Sequence, residues 1–152
     1  MGIVFIDQNK ELVDALRYYY LLESAMLKEI PIIGFVHGTV LEPYGVIVSA
    51  SNPDFTMGGG WDAQIARWYP REARAAYINK GVNQRIGNVI FTITVNRDIE
   101  ASKELVKEAL KFALSNVKEH ETLVLTGLGT GIGGLKIEEF VEIFKEVVYE
   151  KL

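Results

Sequence analysis

The chain has 152 residues, 49% of them hydrophobic and 24% charged, with a formal net charge of −4. That length predicts one domain with a sizeable core over residues 1–152. The absence of cysteine excludes disulfides and thiol chemistry, and His37 and His120 form no metal-ligand motif, so we expect no metal and no other cofactor. Lysine and arginine are scattered rather than clustered, which argues against a nucleic-acid partner.

Neither the N-terminus nor the apolar runs carry a membrane signal. The opening residues MGIVFIDQNKEL include the acidic Asp7 and lack the basic segment of a secretory signal. The longest apolar runs are much too short to cross a bilayer. We therefore expect a cytoplasmic protein with no membrane partner.

Short apolar runs alternate with segments of helical periodicity along the chain. The apolar runs predict strands at residues 2–6, 30–40, 44–50, 88–95 and 123–126. Helical spacing predicts helices at residues 10–28, 61–79, 99–118 and 137–149, the first capped by residues 7–9 and the second broken at Pro70. This order predicts an α/β fold, with helices on both faces of a mixed, mostly parallel sheet.

Two loops rich in glycine each follow a predicted strand and precede a predicted helix. The first glycine loop, residues 52–60, has three adjacent glycines at positions 58–60. The second glycine loop, residues 126–136, has glycines at positions 127, 129, 131, 133 and 134. Glycine lets a backbone approach an anion closely, and a helix N-terminus offers unpaired N–H donors. Because ligands of open α/β sheets bind beyond the carboxyl ends of the strands, we expect both loops to close around one polyphosphate.

The same glycines allow other interpretations. Gly129, Gly131 and Gly134 match the GxGxxG fingerprint of Rossmann domains, but that motif normally opens the first βαβ unit, whereas here it precedes the last predicted helix. A Walker-type ATP site is not supported, because no glycine of either loop precedes a Lys-Ser/Thr pair. Flexible connections whose glycines only turn the chain are the plain alternative.

The segment VSASN, a short spacer and GGGWDAQI resemble the macro-domain pattern of a strand ending in NAAN followed by GGGVDGAI. LGTGIGGLKIEEF is similar to the second loop of that family, especially in the branch of ADP-ribose 1″-phosphate phosphatases and ADP-ribosyl-glutamate hydrolases. The matches cover roughly residues 44–140. The resemblance implies a three-layer macro-domain fold that binds ADP-ribose or a derivative, free or attached to a protein.

The resemblance also implies roles for single residues. Asn52 matches the family's asparagine at the distal ribose, and Asp62 matches the aspartate that helps to activate water, so these are the candidate catalytic residues. The structural alternatives are an Asx-turn at Asn52 and a favourable helix-dipole position for Asp62. Phe55 and Trp61 are candidates for base stacking. The candidate ligand-binding residues are Ala50, Ser51, Asn52, Gly58, Gly59, Gly60, Trp61, Gly129, Thr130, Gly131, Ile132 and Gly133.

Three positions depart from the family pattern. Gly38 is followed by Thr39, where the family has an aspartate for the adenine amino group, so Thr39 and Val40 form the candidate adenine subsite and adenine selectivity stays open. Gly133 replaces a frequent aromatic residue or aspartate. In the glutamate-deacylating branch, a lysine lies just before the strand that follows the helix of the first loop. This sequence has Arg85 in that neighbourhood, and an arginine stays protonated and does not readily form an imine.

Three functional hypotheses follow. The first is a binding module or slow hydrolase for ADP-ribose, its 1″-phosphate or an ADP-ribosyl ester, with backbone N–H groups stabilising the developing negative charge. The second is a reader that binds ADP-ribose without turnover. The third is a degenerate, phage-type domain that serves as an interaction module, which Thr39 favours.

Overall fold

The computed structural model describes residues 2–24, 32–131 and 133–149. In chain order the elements are β1 (Gly2–Asp7), α1 (Lys10–Ser24), β2 (Ile32–His37), β3 (Val46–Ser51), α2 (Gly60–Trp68), α3 (Pro70–Ile78), β4 (Gln84–Ile86), β5 (Val89–Ile93), α4 (Lys103–Ser115), β6 (Thr122–Leu125) and α5 (Ile137–Phe144), which continues as a π-helical segment, Lys145–Tyr149. The alternation of strands and helices is the one predicted from the sequence.

The six strands form a sheet in the order β2-β1-β6-β3-β5-β4. Neighbouring strands are parallel, except that β4 runs antiparallel to β5 at one edge. The mixed, mostly parallel sheet is therefore confirmed. All five parallel strands end at the same side of the sheet, where the loops that follow them meet.

Helices cover both faces of the sheet and give the fold three layers. The larger core lies between the sheet and α1, α4 and α5, and the smaller core lies between the sheet and α2 and α3. Successive side chains of a strand point to opposite faces, so Val46 and Val48 join the larger core and Ile47 joins the smaller one. Strands buried on both faces are mainly apolar and lack alternation, which explains the continuous apolar run at the start of β3.

The predicted break at Pro70 is confirmed. The first of the two helices ends at Trp68, and Pro70 is the first residue of α3, a position where its missing N–H costs nothing. The edge strand β4 is not anticipated by the sequence, because its three half-buried residues show no apolar alternation. Residues 25–31 lie outside the described residues, and they include the predicted C-terminal end of the first helix and the predicted start of the second strand.

The helix predicted to start at Ile99 begins only at Lys103. Ile99 has a positive φ of 61°, which no helical residue adopts, and Ser102 caps α4 by accepting the N–H of Leu105 at 3.1 Å. Periodicity alone extended the helix too far, because the apolar side chain of Ile99 fits the pattern while its backbone belongs to a turn. None of the described helices is both long enough and apolar enough to cross a membrane.

Candidate functional site

A cleft of about 1240 Å³ lies beyond the carboxyl ends of the parallel strands. Residues that follow β1, β2, β3, β5 and β6 all line it. The cleft opens where β3 and β6 separate, because these two strands pair only through Val46 and Ile47. Just past that point the indole N–H of Trp61 donates to the Val48 carbonyl at 3.1 Å. The sheet topology therefore creates the crevice in which ligands of open α/β sheets bind.

Every candidate ligand-binding residue that the structure describes lines this cleft. They are Ala50, Ser51, Asn52, Gly58, Gly59, Gly60, Trp61, Gly129, Thr130, Gly131 and Gly133, together with Asp62, Thr39 and Val40. Ile132 lies outside the described residues. The two glycine loops thus open on the same crevice, although about 70 residues separate them in sequence.

The first glycine loop ends at the N-terminus of α2. Gly59 is the N-cap in an extended conformation (φ −140°, ψ 149°) and provides no side-chain cap, while Gly60 adopts a left-handed φ of 52°. A Cβ atom on Gly58, Gly59 or Gly60 would meet no atom within 4 Å, so the space beside these residues is open. Among the described residues nothing accepts from the first amide groups of α2, which are therefore available to an anion.

The second glycine loop is folded by its own hydrogen bonds. The N–H and the hydroxyl of Thr130 both donate to the Gly127 carbonyl, at 3.1 and 2.7 Å, and Leu135 N–H donates to Gly129 O at 2.9 Å. Within the described part of the chain, the N–H groups of Gly131 and Gly133 find no acceptor. Successive turns that leave amides unbonded form the kind of concavity that binds anions.

Asp62 is the third residue of α2 and lies beneath the first glycine loop, with 9% of its surface exposed. The Ser49 hydroxyl donates to its Oδ1 at 2.9 Å. Burial raises the pKa of the Asp62 carboxyl to about 7, although hydrogen bonds from Ser49, Ser51 and Ala50 oppose that rise. The carboxyl group therefore ties α2 to β3, and its role as a catalyst stays a prediction.

Replacing Asp62 by asparagine is expected to remove a pH dependence of stability. Because the folded-state pKa of about 7 lies above the ordinary pKa of 3.8 for an aspartate, this carboxyl favours the folded state most below pH 4 and loses that contribution as the pH rises through 7. The wild type should lose roughly 2–4 kcal/mol of unfolding free energy relative to Asp62→Asn between pH 4 and pH 8. Urea denaturation across this range measures the difference. The exposed Asp98→Asn is the control, and a parallel course of wild type and Asp62→Asn would contradict the assignment.

Asn52 forms an Asx-turn at the start of the first glycine loop. Its Oδ1 accepts the N–H of Asp54 at 3.0 Å, and its Nδ2 donates to the Thr56 hydroxyl at 2.9 Å. The side chain nevertheless lines the cleft. The Asx-turn, which is the purely structural interpretation of Asn52, is therefore present. Contact of the Asn52 side chain with a ribose would require one of its two hydrogen bonds to be shared or exchanged.

A solved structure with a similar fold is the macrodomain of Mycobacterium tuberculosis DarG, at a TM-score of 0.57 and 19% sequence identity, over 73% of this chain and 88% of that one. The chain has a macrodomain fold. The resemblance inferred from the two glycine loops is confirmed at the level of the fold, whereas the ligand has to be argued from the cleft itself. No family model and no curated sequence matches the chain.

Of the three residues that depart from the macrodomain pattern, Gly133 and Thr39 line the cleft and Arg85 does not. Gly133 is packed tightly, since a Cβ there would come within 2.7 Å of the Val95 side chain, which explains the absence of a larger residue. Arg85 lies on β4 and makes a two-pronged ion pair with Glu121, at 2.7 and 2.8 Å. Arg85 does not line the cleft, so it does not replace the lysine of that family. Thr39 does line the cleft.

The two aromatic candidates differ in position. Phe55 is 1% exposed and packs against Phe91, with ring centroids 5.9 Å apart, so the expectation that it stacks on a ligand is wrong. Trp61 lines the cleft and makes an edge-to-face contact with Trp68 at 5.9 Å. The backbone of Phe55 is in the left-handed region, with φ 48°, a loop conformation that its residue type does not predict.

Sequence reasoning missed several polar residues that line the cleft. Asp7, at the end of β1, accepts the N–H of Gly127 at 2.9 Å and the N–H of Asn9 at 2.8 Å, so it anchors the second glycine loop. The sequence shows that Asp7 ends a strand, but only the pairing of β1 with β6 brings it to the second glycine loop. Gln64 and Arg67 of α2 also line the cleft. The described residues contain no cluster of three or more His, Cys, Asp or Glu that could hold a metal ion.

Proposed function

We propose that this protein binds ADP-ribose or a close derivative in the cleft, with the pyrophosphate between the two glycine loops. The observation that carries the proposal is that both loops line one crevice and leave backbone N–H groups without acceptors among the described residues. Such amides, together with the N-terminal end of α2, stabilise an anion without a metal or a lysine.

The strand order supports one orientation of the ligand. Thr39 and Val40 follow β2, at one edge of the sheet, whereas Asn52 and Asp62 lie beside β3, with β1 and β6 in between. We therefore place adenine near Thr39 and Val40, and the distal ribose near Asn52. A threonine hydroxyl both donates and accepts, so it offers a weaker preference for the adenine amino group than a carboxylate would.

The environment of Asp62 favours binding over turnover. A general base has to reach a water molecule, but this carboxyl is buried and already accepts from Ser49. Hydrolysis of ADP-ribose 1″-phosphate or of an ADP-ribosyl ester remains the finer proposal, in which the amides of the loops would stabilise the developing charge. A reader that recognises ADP-ribose on a modified protein requires only the cleft.

Calorimetry with ADP-ribose, AMP and ribose 5-phosphate tests the binding proposal. Because the three parts of ADP-ribose would occupy adjoining subsites, the intact ligand should bind at least roughly 30-fold more tightly than either fragment. The proposal fails if ADP-ribose does not bind, or if AMP alone binds equally well.

Phosphate release from ADP-ribose 1″-phosphate tests turnover. If Asp62 acts on the reacting groups, Asp62→Ala should lower the rate by about 100-fold or more while the affinity for ADP-ribose changes little. Asp62→Asn, which keeps the shape of the side chain, separates loss of the acid from loss of packing. No release by the wild type would support the reader.

A further inference from the structure

Among the described residues, three that are not glycine have a backbone in the left-handed region, and all three lie in loops that border the cleft. They are Phe55 (φ 48°), Met57 (φ 54°) and Ile99 (φ 61°). This conformation is unfavourable for any residue with a Cβ, and for a β-branched residue such as isoleucine it is a clear outlier. A strained backbone persists only where its surroundings hold it in place.

Ile99 differs from the other two residues in what surrounds its side chain. Phe55 and Met57 are 1% and 7% exposed and belong to the smaller core, so burial of their side chains offsets the strain. Ile99 is 46% exposed, packs in neither core of the described chain, and lines the cleft. Packing within the protein therefore does not account for the conformation of Ile99, whereas contact with a ligand in the cleft would.

Asn96 holds the turn that contains Ile99. The side-chain oxygen of Asn96 accepts the N–H groups of Asp98 and Glu100, at 2.9 and 3.0 Å. The Asn96 carbonyl accepts the N–H of Ile99, and the Asn96 N–H donates to the Glu100 carbonyl, both at 3.0 Å. These hydrogen bonds fix the turn from several sides, so the side chain of Ile99 is positioned before a ligand binds.

Contacts with the first glycine loop place this turn beside Asn52. The Thr94 N–H donates to the Ser51 carbonyl at 3.0 Å. The Arg97 guanidinium lies 3.5 Å from the carboxylate of Asp54. Ser51 and Asp54 flank Asn52 in the sequence, and the proposed function places the distal ribose near Asn52. The turn therefore belongs to the distal-ribose end of the cleft.

The same turn, residues 95–101, also packs on the second glycine loop. The Ala101 N–H donates to the Gly133 carbonyl at 3.0 Å, and a Cβ on Gly133 would come within 2.7 Å of Val95. The turn follows β5, which is separated from β2, the strand that leads to the proposed adenine subsite, by β1, β6 and β3. Ile99 therefore lines the cleft at the end opposite to adenine, where the turn contacts both glycine loops.

We infer that Ile99 is a specificity-determining residue whose side chain covers the apolar face of the distal ribose, so that the cleft selects a pyrophosphate that carries a second sugar. The inference rests on the proposed function, because the pyrophosphate between the glycine loops fixes where that sugar lies. A ribose ring presents C–H groups as well as hydroxyls, and an aliphatic side chain that covers them removes apolar surface from water. Ile99 contacts the ligand and takes no part in bond breaking.

Calorimetry with ADP-ribose and with ADP, which lacks the distal ribose, tests the inference. Ile99→Asn replaces the aliphatic surface by a polar group, and asparagine tolerates the left-handed region better than isoleucine. The variant should bind ADP-ribose about tenfold more weakly than the wild type and bind ADP within about twofold of it. Because the strain is relieved, the midpoint of urea unfolding should stay the same or rise. Affinity for the sugar and stability thus change in opposite directions, which a purely structural role of Ile99 would not produce.

Ile99→Leu and Ile78→Asn are the controls. Leucine keeps an aliphatic side chain, so Ile99→Leu should bind ADP-ribose within about threefold of the wild type. Ile78 is an exposed isoleucine of α3 that does not line the cleft, so Ile78→Asn should leave both affinities unchanged. If Ile99→Asn keeps the wild-type affinity for ADP-ribose, or weakens both ligands equally, the inference is wrong while the binding of ADP-ribose stands. If the wild type binds neither ligand, the proposed function is wrong and this inference fails with it.

Discussion

Gly59→Asp is expected to abolish ADP-ribose binding while leaving the protein as stable as the wild type or slightly more stable. Gly59 is the N-cap of α2, its backbone is extended, and a Cβ there would meet nothing within 4 Å, so aspartate fits without strain. As a cap, aspartate would accept amides of the first turn and gain a few tenths of a kcal/mol over glycine. The same carboxylate would take the donors that the pyrophosphate needs and would repel it. We expect at least a 100-fold loss of affinity, about 3 kcal/mol, measured by calorimetry beside urea denaturation.

Gly59→Asn separates the charge from the added side chain. Asparagine is also a good N-cap and has the same shape, but it carries no negative charge. Its affinity for ADP-ribose should fall by about tenfold, clearly less than for Gly59→Asp. Equal affinity of Gly59→Asp and the wild type would mean that no anion binds at the N-terminus of α2, and the proposed function would lose its main support.

Gly127→Ala is expected to destabilise the protein by about 3 kcal/mol. A Cβ there would lie 2.4 Å from the Leu12 side chain, 2.7 Å from the Thr130 hydroxyl and 3.1 Å from the Asp7 carboxylate. Leu12 is fully buried and so cannot move without displacing its neighbours. Rotation of Thr130 would break its bond to the Gly127 carbonyl. The midpoint of urea unfolding measures the loss.

Gly131→Ala is the matched control in the same loop. A Cβ on Gly131 would meet no atom within 4 Å, and its φ is not in the left-handed region, so its unfolding free energy should stay within about 0.5 kcal/mol of the wild type. In a proteolysis or denaturation experiment, equal behaviour of Gly127→Ala and Gly131→Ala would show that the second glycine loop is not packed against α1 in the way described.

Much of the architecture was readable from the sequence because it depends on local patterns. Apolar runs and helical spacing predicted the α/β alternation, and the φ restriction of Pro70 predicted the break between α2 and α3. The glycines at positions 58–60 and 127–134 predicted two loops beyond strands, and the resemblance that they carry predicted the macrodomain fold. The short β4 and the turn at Ile99 were missed, because neither has a distinctive pattern.

The sequence by itself determined the fold class and the two glycine loops, since each follows from residues within a few positions of one another. Only the tertiary structure decided which side chains face the cleft, because that depends on contacts between distant segments. Ser49 reaches Asp62 and buries it, and Leu12 packs against Gly127, whereas Gly131 of the same loop stays open. That Arg67 lines the cleft is likewise decided by the tertiary structure, because nothing in the sequence around it distinguishes it from the exposed arginines of α3.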